Sequence, residues 1–465
     1  MGTITSLMDI ARQALMANQE ALNVTSNNVA NQNSAGYTRE VVNFQAVDAV
    51  TLSGRTFGSG VAASASSQRD RVLEQRVQQQ TQTQSQSAAL ESALQQIQNI
   101  FGLSSTTNSA SSTALGTSID SFFSSLSSLT SNPSDTATRE SVLTAANTLA
   151  AAFNSASNQL SQVTTSLNQQ VAADVGQVNS LTKTIASLNA QIASISPNSD
   201  AGSLEDQRQQ AVAQLSQLVG LDQISTENNG ITLTTSNGAV LVSGSQSFAL
   251  STSQAGGATH ILSGGQDVTA NLTGGDVGGV LQARDQNLPA YQSALDSLAF
   301  SVGTQVNQQN QLGLDGSGNP GAALFSLPAT STRAAALIQV ATTNPNAVAT
   351  AAIGEGSAGN TNASALADLS SAKIVSGQTA SGFLASFLGE IGSDTAAATT
   401  DNSTQETTLT QLTTQRDSFS AVALDEEAAN LTQYQRAFQA AAQVFNIGNS
   451  IMASALNLGV QTTVT

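Results

Sequence analysis

The chain has 465 residues, a formal net charge of −17, one histidine, no cysteine and no tryptophan, and its length predicts two to four domains. The acid excess argues against nucleic acid or an anionic membrane as partner, since both demand a basic face. Zero cysteine removes disulfides, thiolate metal sites and a thiol nucleophile.

Only 10% of residues are charged and 4% aromatic, against 40% hydrophobic. Uncharged polar residues are unusually abundant, and the core must be built from Ala, Leu, Ile and Val.

Near the start, Ile4, Met8, Ala11, Leu15, Leu22 and Val29 fall on one heptad stripe, with Asn18 and Thr25 on its seam. Met1–Ile10 lacks a basic start and an apolar run, so no cleaved signal is expected. The run Ser26-Asn27-Asn28-Val29-Ala30-Asn31 ends the helix and Gly36 supplies a turn. Residues 41–63, with Gly54, Gly58 and Gly60, predict extended chain with weak strands. Helix returns over 68–101, followed by a Ser/Thr linker at 104–113.

The longest helical signal runs from Asp135 to Ile195. Val142, Ala146, Leu149 and Phe153 mark its early part, and Val178, Leu181, Ile185, Leu188, Ile192 and Ile195 its end. Asn132-Pro133-Ser134-Asp135 opens it and Pro197 closes it. Sixty helical residues would span about 90 Å, a rod. Ser203–Val219 predicts a further helix, with Ser203 and Asp206 as a capping box. Over 221–272 the period changes to that of strands, with Asn229-Gly230 and Asn237-Gly238 as hairpin turns. Next come helix over 277–312, a β-and-loop insertion over 314–365, helix over 365–391, and the final helices from about 402.

The last helix carries Leu424, Ala428, Leu431, Phe438, Ala442, Phe445, Met452 and Leu456 on one stripe, with Gln435 and Asn449 on its seam. Tyr434, Val444, Ile447, Ile451 and Leu458 add apolar surface on other faces. A helix apolar on more than one face needs more than one neighbour. The two ends are therefore expected to pair and then pack against other copies, with Asn18, Gln435 and Asn449 setting the register.

The expected fold class is mainly α with an inserted β domain (α+β). Paired N- and C-terminal helices form a coiled-coil-like base, below a long helical rod domain and a β-rich outer domain. The expected parts are 1–63 with 420–465; 64–220 with 275–312 and 400–419; and 221–274 with 313–399.

Several motifs mimic chemistry. Gly354-Glu355-Gly356-Ser357-Ala358-Gly359 matches a dinucleotide fingerprint but lacks a βαβ setting. Leu262-Ser263-Gly264-Gly265-Gln266 matches an ATPase signature, yet no P-loop accompanies it. Asp315-Gly316-Ser317-Gly318-Asn319 begins like a calcium loop but departs from it at Pro320 and Ser326. Asp425-Glu426-Glu427 reads as acid at a helix N-terminus, and His260 as a hairpin residue. No metal site, cofactor site or catalytic set is expected. A chain of this kind reads as a structural subunit.

The run at Ser26–Asn31, followed by Ala35-Gly36-Tyr37-Thr38-Arg39, resembles the N-terminal signature of bacterial flagellar axial proteins of the rod and hook type. Its Gly-Tyr-Thr-Arg form resembles the hook-associated members of that family. Further stretches carry the same resemblance: Ile119-Asp120-Ser121-Phe122-Phe123 through Asn154, Gly278-Gly279-Val280-Leu281 through Tyr291, Gly318-Asn319-Pro320-Gly321, and Leu424-Asp425-Glu426-Glu427 through Phe438. The middle is short for the family's largest members, so an extra outer domain is not expected.

The resemblance implies a non-enzymatic subunit without cofactor, exported through the flagellar type III channel to the hook–filament junction outside the cell. The partners it implies are the flagellar hook protein, a second junction protein, its own copies in a ring, and an export chaperone on the C-terminal helix. Nucleic acid and membrane are not among them. It places N-terminal assembly residues at Ser26, Asn27, Asn28, Ala30, Asn31, Gly36, Tyr37, Thr38 and Arg39. The C-terminal set is Leu424, Asp425, Glu426, Glu427, Asn430, Leu431, Tyr434, Gln435, Phe438, Phe445, Ile451 and Leu456. Another axial protein (hook, rod or flagellin) is the near alternative, against which the Gly278–Tyr291 and Gly318–Gly321 stretches argue. A secreted adhesin with coiled-coil stalks is the alternative from a different class.

Overall fold

Residues 2–34, 36–47, 50–52, 55–57, 60–103, 113–195, 201–225, 229–236, 238–356 and 358–461 are described by a computed structural model. Ala35, Gly54, Gly58, the linker at 104–112, Pro197, Asn237 and Ser357 lie outside the described residues.

In chain order the elements begin α1 (Gly2–Asn31), β1 (Glu40–Ala46), β2 (Val50–Leu52), β3 (Arg55–Phe57), β4 (Val61–Ser67) and α2 (Arg71–Ile100). Then come α3 (Ala114–Ser131), α4 (Thr136–Ser194), α5 (Gly202–Leu218), β5 (Leu221–Ser225), β6 (Ile231–Thr235), β7 (Val240–Ser243) and β8 (Gln246–Ser247). They continue with β9 (Leu250–Ala255), β10 (Ala258–Ser263), β11 (Gln266–Asp267), α6 (Gly275–Gln282) and α7 (Leu288–Leu312). The last are β12 (Phe325–Ser326), α8 (Ala334–Leu337), β13 (Gln339–Val340), α9 (Thr361–Asp368), α10 (Ala380–Ser420) and α11 (Leu424–Gln461).

These elements gather into two compact units. One comprises Met1–Thr81, Gln177–Leu250 and Thr407–Thr465; the other comprises Gln82–Gly176 and Ser251–Glu406. Helices α2, α4 and α10 contribute residues to both.

In the first unit, α1 packs along α11 and on the β1–β4 ribbon. That ribbon is antiparallel, from Glu40 opposite Ser67 to Ala46 opposite Val61. The two ends do pair, α1 largely on its expected stripe and α11 on only part of its own. The covered row of α11 is Glu427, Leu431, Tyr434, Phe438, Ala441, Phe445, Gly448, Met452 and Ala455, at alternating spacings of four and three. It shares Leu431, Phe438, Phe445 and Met452 with the expected stripe; of the stripe's other row only Ala442 is half-buried, and the N-terminal neighbours take its place.

Gln435 and Asn449 are therefore exposed and set no register within this pair. Half-buried Asn18 donates to the Ala14 carbonyl of its own helix at 2.7 Å. On α1, Ala11, Ala17, Ala21, Val24, Thr25 and Asn28 are buried, so Ala11 of the expected stripe and Thr25 of its seam are covered, whereas Val29 is 38% exposed. The cause is steric and electrostatic. Gly448 leaves room for Met8, whose Cγ would lie 3.0 Å from an added Cβ, and Glu427 must face inward to reach Arg39.

The other sheet of this unit is an antiparallel meander, β5-β6-β7-β8, with a bulge between Leu233 and Thr234. Ile231, Leu233 and Thr235 alternate inward. Asn189 of α4 donates to the carbonyls of Ile231 (3.0 Å) and Gly244 (2.8 Å). Asn179 both accepts from and donates to the backbone of Leu250, each at 2.8 Å.

The second unit holds the aromatic core. Phe122, Phe153, Tyr291 and Phe325 are fully buried, and the rings of Phe122 and Phe325 lie 5.7 Å apart. Phe122 belongs to α3, a helix absent from the sequence expectation. Its signals are a Thr113 N-cap accepting from Gly116 N at 3.0 Å and the spacing of Leu115, Ile119, Phe122, Leu126 and Leu129.

The insertion over 314–365 forms few ladders, so buried amides satisfy its backbone. Asn310 donates to Ala322 O (2.7 Å) and Ala347 O (3.0 Å) and accepts from Ala349 N (2.9 Å). Buried Arg139 donates to Pro133 O, Val348 O and Thr350 Oγ1. Helix α10 runs unbroken for 41 residues, where a break between 391 and 402 was expected. Packing overrides weak Thr/Ser propensity there: Thr399 and Asn402 bond Glu91, and Ser87 bonds Asp401.

Since the seam residues face solvent, Gln435→Leu with Asn449→Leu leaves the urea-unfolding free energy of the free chain within about 0.5 kcal/mol of the parent. Asn310→Ala lowers it by about 2–3 kcal/mol, because buried backbone groups lose their partners.

Candidate functional site

The site is the turn from α1 into β1, where three helices meet. Clustered asparagines end α1: Asn31 donates to Asn27 O at 3.1 Å, and Ser34 Oγ donates to Asn31 Oδ1 at 3.2 Å. Gly36, at φ +80°, reverses the chain in the left-handed region. Asn28, 1% exposed, then organises the entry into β1. Its Oδ1 accepts from Tyr37 Oη (2.8 Å) and Glu40 N (3.0 Å), and its Nδ2 donates to Glu40 O (2.8 Å). One amide thus holds both backbone groups of the first residue of β1.

The next two residues tie the turn to the rest of the unit. Thr38 N donates to Asp206 Oδ2 at 3.2 Å, and its hydroxyl accepts from Arg69 at 3.2 Å. Arg69 itself pairs with Asp206, with Glu74 at 3.2 Å and with Glu205 at 3.8 Å. Asp206 therefore clamps the turn and does not cap α5. The N-cap there is Ala201, with no side-chain bond, so the expected capping box is absent.

Arg39 N donates to Ser420 O at 3.0 Å, and Arg39 O accepts from Gln68 N at 2.9 Å. The Arg39 guanidinium spans the first turn of α11. Nε reaches Glu427 Oε1 at 2.8 Å, and Nη1 and Nη2 reach the two oxygens of Glu426, each at 2.9 Å.

The electrostatics arise from this packing. The Glu427 side chain is 2% exposed and that of Arg39 12%, whereas Glu426 stands in solvent. The bond to Glu426 raises the Arg39 pKa, against the effect of burial, and Arg39 holds the Glu426 carboxyl below its ordinary value. Burial, then the charges of Glu40, Asp206 and Glu427, push the Tyr37 phenol upward. Beside the turn lies a cavity of about 450 Å³ lined by Gly36, Tyr37, Val77, Ala213, Ala421 and Val422, among others.

Of the expected assembly residues, the fold brings together Asn28, Gly36, Tyr37, Thr38, Arg39, Glu426 and Glu427. Asn31 completes the same turn. Tyr434 joins through its ring, 5.9 Å from that of Phe44. Asn430, Leu431, Phe438 and Phe445 are half-buried along α11. Ser26, Ala30, Leu424, Asp425, Gln435, Ile451 and Leu456 are exposed and take no part in the joint, and exposed Asn27 contributes its carbonyl to Asn31. Sequence reasoning missed Arg69, Asp206 and Ser420; the only signal was Arg69-Asp70 leading into α2, with Glu74 one turn on.

The motifs that mimic chemistry are structural. Gly264 and Gly265 form the β10–β11 turn. Asp315 Oδ1 accepts from Ser317 N and Asn319 N, both at 2.8 Å, which closes a surface turn. Glu355 accepts from Ala352 N at 2.8 Å. His260 pairs with Asp267 at 2.7 Å on the hairpin surface. Among the described residues no group of three His, Cys, Asp or Glu is placed to hold a metal, and no helix is long and apolar enough to cross a membrane.

Family models match in three places. The helical domain of the flagellar hook-associated protein FlgK matches residues 102–325. The flagella basal body rod protein model matches 8–38, and the flagellar basal body rod FlgEFG C-terminal model matches 414–458. These two terminal matches are the segments that meet at the joint.

Flagellar hook-associated protein 1 of Escherichia coli (strain K12) is 28% identical over 554 aligned positions, covering 98% of this chain and 100% of that one. Its Bacillus subtilis (strain 168) namesake is 28% identical and covers 97% of each. The flagellar hook junction protein FlgK from Burkholderia pseudomallei superposes with a TM-score of 0.68 at 21% identity, over 74% of this chain and 99% of that one, a likeness of fold.

Arg39→Ala strands Glu427 in a buried site and lowers the urea-unfolding free energy of this unit by about 3–5 kcal/mol, whereas Arg39→Met with Glu427→Leu recovers most of the loss. The joint also sets a pH window. Tyr37 is raised, so its contribution is complete below about pH 10, the unfolded phenol value, and falls as pH rises past it. Glu426 is depressed, so its contribution holds above about pH 4.3 and is lost on acidification. Tyr37→Phe is expected to flatten the alkaline limb of a stability-versus-pH curve and leave the acid limb in place.

Proposed function

The chain belongs to the FlgK family of flagellar hook-associated proteins, and we propose that it joins hook to filament through the paired helices α1 and α11. It is a structural, non-enzymatic component of the bacterial flagellum at the hook–filament junction. The finer reading concerns how it is delivered and what it touches. Exported by the flagellar type III pathway, it adds to the hook tip as a ring of its own copies. It contacts the hook protein on one side and a second junction protein on the other. The segments 1–63 with 420–465 act as the assembly part, 64–220 with 275–312 and 400–419 as the rod, and 221–274 with 313–399 as the outer part.

One observation carries this reading. Pairing leaves Val444, Ile447 and Ile451, one outward row of α11, 41–58% exposed. On α1, Met16 is 65% exposed. An apolar row of this length on a surface marks a contact with another chain. Burial in a lattice supplies that contact. Low charge suits such a lattice, since repeated copies with many like charges repel. Before assembly the same row needs cover, which is the role proposed for a chaperone on α11.

The test is deletion of the gene, with electron microscopy of the cells and assay of flagellin in the medium. Bare hooks with monomeric flagellin released are expected. Normal filaments would overturn the reading, and missing hooks would reassign the chain to rod or hook. Ile447→Asp with Ile451→Asp should keep the helicity and unfolding midpoint of the free chain yet reproduce the bare-hook phenotype.

A further inference from the structure

In the same unit as the joint, a polar pocket of about 120 Å³ opens between the start of α2, α5, Gln223 of β5 and Asn229, Gly230 and Ile231 at the start of β6. At about 30 Å³ per water, that is room for some four waters or one small oxyanion. Three of the chain's 14 basic residues line it: Arg69, Arg71 and Arg208. Two acids, Glu74 and Glu205, share the wall.

The pairing is uneven. Arg69 takes both of these acids and Asp206 as well. That leaves Arg71 and Arg208, among the described residues, without a carboxylate within 4.0 Å. Both turn to Asn229: Arg71 Nη2 donates to its Oδ1 at 3.3 Å, and Arg208 Nη1 to its carbonyl. Asn229 in turn donates to Glu205 Oε1 at 2.7 Å.

Asn229 sits at φ 59°, the left-handed conformation asparagine favours ahead of a glycine, just before β6. Arg208 is 7% exposed. Burial lowers its pKa; Glu205 opposes this, and Arg69 and Arg71 add to it. Its Nη1 also donates to Asn189 Oδ1 at 2.9 Å. Both of these bonds use Nη1, and Arg208 lines the pocket. A buried cation with no described carboxylate within 4.0 Å is incompletely neutralised, and two guanidinium groups lining one pocket match the geometry of an oxyanion.

We propose that this pocket binds one small oxyanion, of carboxylate or phosphate type, between the guanidinium groups of Arg71 and Arg208. The anion comes either from solution or from an acidic side chain of a second copy of this chain, whose acids outnumber its bases 31 to 14.

The test is NMR of the arginine Nε–H groups in the full chain. Sodium phosphate and sodium acetate are titrated separately against sodium chloride at constant ionic strength. A saturable shift of Arg71 and Arg208 with a shared midpoint is expected. Arg71→Gln should weaken it about tenfold and Arg71→Lys less, since an ammonium lacks the planar fork. Arg71 is exposed, so these variants keep the fold, which an unchanged urea midpoint checks. A second arm dilutes the protein with no anion added. Movement of the same two signals, with self-association weakened about tenfold by Arg71→Gln, identifies a second copy as the source. Shifts with added anion alone identify a free ion. Absence of both responses, or equal movement at exposed Arg12, overturns the proposal.

Discussion

The first unit depends on one buried ion pair. Glu427 and Arg39 are 388 residues apart in sequence, and the carboxylate is almost sealed from water. Removing such a charge from solvent is unfavourable by several kcal/mol unless a hydrogen-bonded partner is in place. α11 therefore docks in this register only if the turn after α1 presents Arg39. That turn holds its shape through Asn28 and Gly36, and its backbone bonds to Ser420 and Gln68 tie the end of α10 and the end of β4 to the same point. Register, strand start and helix start are fixed by one cluster.

The remainder is held by neutral amides. With 10% charged residues and 4% aromatics, the chain has few ion pairs or rings to spread through its interior. Buried and half-buried asparagines fill the role instead. Buried Asn189 and half-buried Asn179 in one unit, and buried Asn310 and Asn168 with half-buried Asn307 in the other, each bond backbone carbonyls. An asparagine both donates and accepts, so one side chain can close an irregular segment that would otherwise bury unpaired groups. This accounts for a chain rich in uncharged polar residues that still builds two compact units.

The joint and the arginine pocket share a wall. In α5, Asp206 reaches the backbone of Thr38, while Glu205 and Arg208 face Asn229. Arg69 pairs with acids on both sides of it. The surface that pairs the chain's ends is thus electrostatically continuous with the pocket. The outward row of α11 is separate from both, and it is the surface a lattice neighbour would cover.

Local and periodic features were legible in the residues alone. Spacings of three and four predicted helices at both ends and across 135–195, and alternation with Asn-Gly turns predicted strands after 221. The Ser26–Arg39 and Leu424–Phe438 motifs identified the segments that meet. These signals are legible because a single helix or hairpin displays its own apolar face. Long-range packing fixed the rest. Two interleaved rows on α11 are nearly equally apolar, and only the Arg39–Glu427 pair and the gap at Gly448 selected the row containing Tyr434 over the row containing Gln435 and Asn449. Asp206 looked like a helix cap until Arg69 and Thr38 arrived from 137 and 168 residues away. Helix α10 crosses a Thr-rich stretch only because Glu91 and Ser87 support it from α2. In each case the deciding partner is distant along the chain, so no local pattern encodes the choice.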